Sequence, residues 1–191
     1  GPSESMSKSK KNVVDPETII NTYGADTARW FMLSDSPPGR DINWSESGIK
    51  GAWKFINKVW GLINENKGIF KTTFNNDDVE TENYINLKKT THKNLKDITK
   101  SIESFQMNVA VAKIYEMTNF LTNFKAKNEL EKSALKESIK ILIRVLEPMT
   151  PHLAEECWSI IGQESLLSGQ KWPEYNKNYV IDEFASVVIQ V

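Results

Sequence analysis

The sequence predicts a mainly α-helical bundle, and three observations carry that prediction. Apolar residues recur at three- and four-residue steps through long stretches, the spacing that collects them on one face of a helix. Helix-starting and helix-stopping residues bound those stretches: Asp15-Pro16, Ser45 and Thr150-Pro151 on entry, and Gly24, Pro148 and Gly162 on exit. Only the segment from Ala185 to Val191 reads as a β-strand.

Taken in order, Gly1-Pro2-Ser3 reads as an expression scar and is set aside. Glu4 to Asn12 comes next, with lysines at 8, 10 and 11, hydroxyls at 5, 7 and 9, and Met6 as its one apolar residue. No helical or strand period can bury such a segment, so it is expected to be a loop. Ammonium groups and hydroxyls at this density suit the oxygens of a polyphosphate. Asp15-Pro16-Glu17 is a helix start, with Ile19, Ile20 and Tyr23 as its apolar side. Asp26 is placed to open a second helix through Leu33, with Trp30 and Phe31 buried and Arg29 paired to a carboxylate such as Asp26. Ser36-Pro37-Pro38-Gly39 must be a loop, and Arg40 to Trp44 reads as extended.

Ser45 caps a long helix whose expected core stripe is Ile49, Ala52, Trp53, Ile56, Trp60 and Ile63. Lys54 and Lys58 fall off that stripe, one turn apart. A polar connector leads to a helix from about Thr81 to Phe105. Tyr84, Leu87, Thr91, Leu95, Ile98, Ile102 and Phe105 line one side, and a run from Lys88 to Lys100 covers much of the rest. That run, His92 included, is expected to face water. Asn108 is a candidate cap for the next helix, with Ala110, Ile114, Met117, Leu121 and Phe124 as core. Lys125 to Asn128 is a turn. The helix from about Leu130 to Leu146 is apolar over so much of its surface that it belongs near the bundle centre. Pro151 opens a last helix with Leu153, Cys157, Trp158 and Ile161 facing inward.

Charge and composition narrow the possible chemistry. Lys and Arg number 24 against 25 Asp and Glu, so attraction to RNA must come from local clustering rather than net charge. A single cysteine excludes an intrachain disulfide framework, and two distant histidines make no metal spacing, so no metal ligand is assigned. Glu155 and Glu156 point about 100° apart on a helix and do not converge as an acid/base pair. No apolar run approaches a membrane span, and a cytoplasmic protein is expected.

The ordered series Met6-Ser7-Lys8-Ser9, Asn12-Val13-Val14-Asp15-Pro16 and Tyr23-Gly24-Ala25-Asp26-Thr27-Ala28-Arg29 resembles the KMSKS loop of class I aminoacyl-tRNA synthetases and the segment just after it. Ser5 stands where that signature has its first lysine, and a serine cannot supply the charge. Ser34-Asp35-Ser36-Pro37-Pro38, Trp44, Gly51-Ala52-Trp53-Lys54-Phe55 and Glu147-Pro148-Met149-Thr150-Pro151-His152-Leu153-Ala154-Glu155-Glu156-Cys157-Trp158 are similar to the leucyl-tRNA synthetases. Gly39-Arg40-Asp41-Ile42 also resembles the valyl enzymes. A valyl or isoleucyl fragment is therefore an alternative, as is a stand-alone helical RNA-binding module.

The resemblance implies a C-terminal fragment of a leucine ligase. Residues 4–44 would be the signature loop and connecting segment, 45–175 an anticodon-binding helical bundle, and 176–191 the start of a further extension. It implies ATP with Mg²⁺ as substrate of the whole enzyme, and leucine and tRNA(Leu) as its other partners. Lys8 would be the catalytic lysine, stabilising charge that develops on ATP, with Ser7 and Ser9 beside it at the phosphates. Lys54, Lys58, Lys89 and Lys93 are the candidate tRNA contacts. No nucleotide-binding βαβ unit is found, so a monomeric fragment inactive by itself is expected.

Overall fold

A computed structural model describes residues 4–7, 9–37, 39–75 and 78–181. Among them are seven α-helices: α1 Pro16–Tyr23, α2 Ala25–Asp35, α3 Glu46–Asn66, α4 Glu82–Glu103, α5 Met107–Asn123, α6 Glu129–Leu146 and α7 Pro151–Ile160. Short 3-10 turns come after α3, at Lys67–Lys71, and after α7, at Leu167–Gly169 and Lys177–Tyr179. No strand occurs among the described residues, and the strand expected from Ala185 to Val191 lies outside them. None of the described helices is long and apolar enough to cross a membrane.

The punctuation read from the sequence works as local chemistry. Asp15 accepts from the backbone N–H groups of Glu17 and Thr18, and Pro16 opens α1 where no N–H is needed. Gly24 ends α1 at φ 87°, donating to the Ile20 carbonyl, a conformation that a side chain disfavours. Ser45, Thr81 and Asn128 accept from Gly48, Tyr84 and Glu131 to cap α3, α4 and α6. Phe105, expected on the apolar side of α4, instead lies past its end, exposed and at φ 57°, and carries the chain into α5.

The long helices α3 to α6, with α2 and α7, enclose one apolar core. Helix α6 is the centre, as its composition demands: Ile139, Leu142, Ile143, Val145 and Leu146 are fully buried. Helix α2 enters the same core. Trp30 stacks on Phe55 of α3 at 4.4 Å, and its indole N–H donates to the Tyr115 hydroxyl of α5 at 3.0 Å. Gly48 admits Phe31 to the start of α3; a Cβ there would come within 2.5 Å of the Phe31 ring.

Several expectations are corrected. Helix α3 buries Ile49, Ala52, Phe55, Val59, Leu62 and Ile63, whereas Trp53 and Trp60 stand at 45% and 40% exposure. Both stripes satisfy helical spacing, and the contact made by α2 selects the one containing Phe55. Arg29 does not pair with Asp26. It donates to the carbonyls of Met149 and Pro148, while Asp26 accepts the Leu153 N–H at 2.6 Å. The interrupted backbone between α6 and α7 attracts both charges. Helix α5 begins at Met107 without a side-chain cap, so Asn108 does not cap it. His92 does not face water but is buried.

Candidate nucleic-acid interface

The loop ahead of α1 is closed by one side chain. Asn12 Oδ1 accepts the Ser7 N–H at 2.8 Å, and Asn12 Nδ2 donates to the Ser5 carbonyl at 3.2 Å. The Lys10 N–H donates to the Ser7 carbonyl, and Lys11 turns the chain at φ 52°. These contacts bring the Ser7 and Ser9 hydroxyls to 3.2 Å from each other. Lys8 lies outside the described residues. The loop and the extended segment Asp41–Trp44 frame an open hollow of about 680 Å³. Exposed hydroxyls and the Lys10 ammonium, 3.8 Å from Glu4, fit phosphate oxygens. Glu4 and Asp41 line the hollow itself.

The four candidate lysines separate into two settings. Lys54 and Lys58 are exposed on α3. Lys58 Nζ donates to Asn119 Oδ1 at 2.6 Å, fixing its charge at the rim of a groove of about 480 Å³ between the start of α4 and the end of α5. Carboxamides of Asn83, Asn86, Asn119 and Asn123 line that groove with the rings of Phe120 and Phe124 and with Lys125 and Lys127; no carboxylate lines it. Carboxamides match the hydrogen-bonding edges of unpaired bases and aromatic rings stack on their faces, so the groove has the composition of a single-strand RNA surface. Phe124, expected in the core, packs against it and also lines this groove, and residues 125–128 leave α5 as the expected turn. The groove's sequence signal is asparagine recurring at 119 and 123 beside phenylalanine at 120 and 124.

Lys89 and Lys93 are half-buried, and each already engages a partner. Their neighbours form a network that binds the chain after α7 to the bundle. Lys88, almost wholly buried, pairs with Glu137 of α6, whose other oxygen lies 3.5 Å from His92 Nε2. The Asn176 N–H donates to His92 Nδ1 at 3.2 Å, and the Tyr179 ring stacks on the imidazole at 5.4 Å. Burial disfavours the Glu137 charge, yet the His92 imidazole and the Lys88 ammonium beside it outweigh that cost and hold the carboxyl at about 2.

Two further groups have structural explanations. Burial pushes the Cys157 thiol up to about 12, as a packing residue requires. Glu155 accepts the N–H groups of Leu167 and Ser168, which lowers its carboxyl below the ordinary range and caps the turn after α7. No group of three metal-ligating side chains forms among the described residues.

Comparison with known proteins adds to this geometry. A family model described as the anticodon-binding domain of tRNA ligase matches residues 86–191, and one described as class I tRNA synthetases (I, L, M and V) matches residues 3–45. The chain is 40% identical over 192 residues to the leucine–tRNA ligase of Parvibaculum lavamentivorans and 44% identical over 197 residues to that of Agrobacterium fabrum. Each match takes in all of this chain and 22% of the relative, so the chain spans about a fifth of their length. Among solved structures, the ternary complex of Agrobacterium radiobacter K84 LeuRS with tRNA and LeuAMS superimposes with a TM-score of 0.84. The identity there is 30%, over 93% of this chain and 23% of that one.

Proposed function

The chain belongs to the family of anticodon-binding domains of tRNA ligases, and on that premise we propose that it serves the ligation of leucine to tRNA(Leu). It acts as one segment of a leucine–tRNA ligase. The observation that carries this reading is that the loop and the bundle are joined through a helix packed into the bundle's core. The Asn12-closed loop leads through α1 directly into α2, which is locked to the bundle by Trp30, Arg29 and Asp26. A loop that must meet ATP in register with bound tRNA needs such a connection.

In this reading residues 4–44 carry the loop and its connection, 45–175 the tRNA-binding bundle, and 176–191 the beginning of a further extension. Ser7, Lys8 and Ser9 meet ATP phosphates, with Lys8 stabilising charge as the adenylate forms. Mg²⁺ accompanies ATP as a substrate of the whole enzyme. Lys54 and Lys58, with the groove beside Asn119, make the tRNA contact. Lys89 and Lys93, already engaged, contribute less. The protein acts as a monomer in the cytoplasm.

The experiment is a filter-binding titration of this chain with a tRNA(Leu) transcript, alongside ATP–pyrophosphate exchange. Salt-sensitive tRNA binding, weakened by Lys58→Gln, is expected, with no exchange activity because the described residues contain no nucleotide-binding sheet. Robust exchange by this chain alone, or failure to bind tRNA, would overturn the reading.

A further inference from the structure

A row of cations on α6 has a different character from the lysines considered so far. Lys136, Lys140 and Arg144 succeed one another at four-residue steps, about 6 Å apart along one side of the helix. They line a groove of about 370 Å³ with Pro173 and Glu174. At one end Lys136 Nζ donates to the carbonyls of Phe70 and Thr72 and lies 5.9 Å from the ring centroids of both Phe70 and Phe74. At the other end Arg144 donates to the Lys171 carbonyl, and its buried Nε finds no partner among the described residues. Lys140, between them, makes no ion pair with any described residue.

The two fixed cations are thus held by neutral acceptors, which orient a charge without cancelling it. Two carboxylates reach the groove. Glu137 is already committed to Lys88 and His92 of α4, and Glu174 is exposed. Burial, and then the charges of Lys136 and Arg144, bring the Lys140 ammonium below its ordinary value, the response of a cation crowded by its own sign. Such a cluster gains most from an anion with several linked negative centres.

We propose that Lys136, Lys140 and Arg144 bind successive phosphates of an RNA strand, in the groove that α6 forms with Pro173 and Glu174. The site rests on the tRNA-binding reading and is distinct from the Lys54–Lys58 face of α3. Arg144, held at the Lys171 carbonyl, and Lys136, held by Phe70 and Thr72, position the ends of the row. Lys140 supplies its central contact.

The test is the salt dependence of tRNA(Leu) binding by the full chain, compared among wild type, Lys140→Gln, Lys140→Arg and Lys50→Gln. Lys50 is a charge control because its ammonium already faces Glu46 at 3.2 Å. Removal of one phosphate contact should flatten the slope of log K against log salt by about 0.7–0.9, which at 0.1 M salt weakens binding roughly five- to eightfold. Lys140→Gln is expected to do this, Lys140→Arg to restore the wild-type slope and Lys50→Gln to leave it unchanged. Equal slopes for wild type and Lys140→Gln would overturn the α6 site and leave tRNA binding intact. Absence of tRNA binding by the wild type at every salt concentration would overturn both.

Discussion

Glu137→Gln removes a charge while keeping the shape of the side chain, and its consequences depend on pH in a calculable way. In the wild type the Glu137 carboxyl falls from its ordinary 4.5 to about 2 because Lys88 and His92 stabilise the anion. An unscreened group displaced that far would contribute ~3 kcal/mol to folding. The Glu137 side chain is 44% exposed, so solvent reduces this to ~1–2 kcal/mol. A carboxyl lowered by folding stabilises the native state fully above 4.5, and that contribution disappears as pH falls towards 2. Urea denaturation monitored by tryptophan fluorescence should therefore place Glu137→Gln ~1–2 kcal/mol below wild type at pH 6. The gap should narrow steadily towards pH 3. Hydrogen exchange at the Asn176 amide should also quicken in the variant, since its acceptor His92 leans on the same carboxylate. A gap that stays constant with pH, or no gap at pH 6, would refute the assignment of this pair as the clasp between α4, α6 and the chain after α7.

Two other perturbations probe separate parts of the fold. Asp26→Ala removes the acceptor at the start of α7 and should cost ~1–2 kcal/mol, with Asp26→Asn losing less because an amide oxygen can still accept the Leu153 N–H; urea midpoints measure both. Cys157, buried with its thiol at about 12, should resist a thiol-reactive chromophore at pH 8 in the native protein and react at once in denaturant; prompt native labelling would contradict the packing role.

The sequence-based reading succeeded where structure is decided locally. Asp15, Ser45, Gly24 and Pro151 act on backbone groups within a few residues, so their positions alone set the helix ends. Helix α6 declared its central place because apolar residues cover most of its circumference. The reading failed where the deciding partner was distant in sequence. The choice between Trp53 and Phe55 as the buried residue of α3 depends on Trp30, and helical period cannot express that choice. His92 looked solvated within a lysine run, but Asn176 and Tyr179 arrive from the far end of the chain to cover it. The asparagine groove was hidden for a related reason. Helix α4 supplies Asn83 and Asn86, and α5 with the chain after it supplies the rest, and neither part alone looks like a surface for bases.

Net charge was the least informative quantity because cations of one type have opposite environments. Lys88 answers Glu137, Lys113 answers Glu116 and Asp97, and Lys50 answers Glu46. Those charges are cancelled within the protein and project little field beyond it. Lys58 rests on a carboxamide, Lys136 and Arg144 on carbonyls, and Lys140 on no acceptor among the described residues. These charges are positioned but not neutralised, so they remain available to a polyanion. A chain with formal charge −1 can therefore still present cations that no ion pair among the described residues neutralises. The nature of each cation's acceptor, more than the number of cations, marks the faces at which a nucleic acid gains by docking.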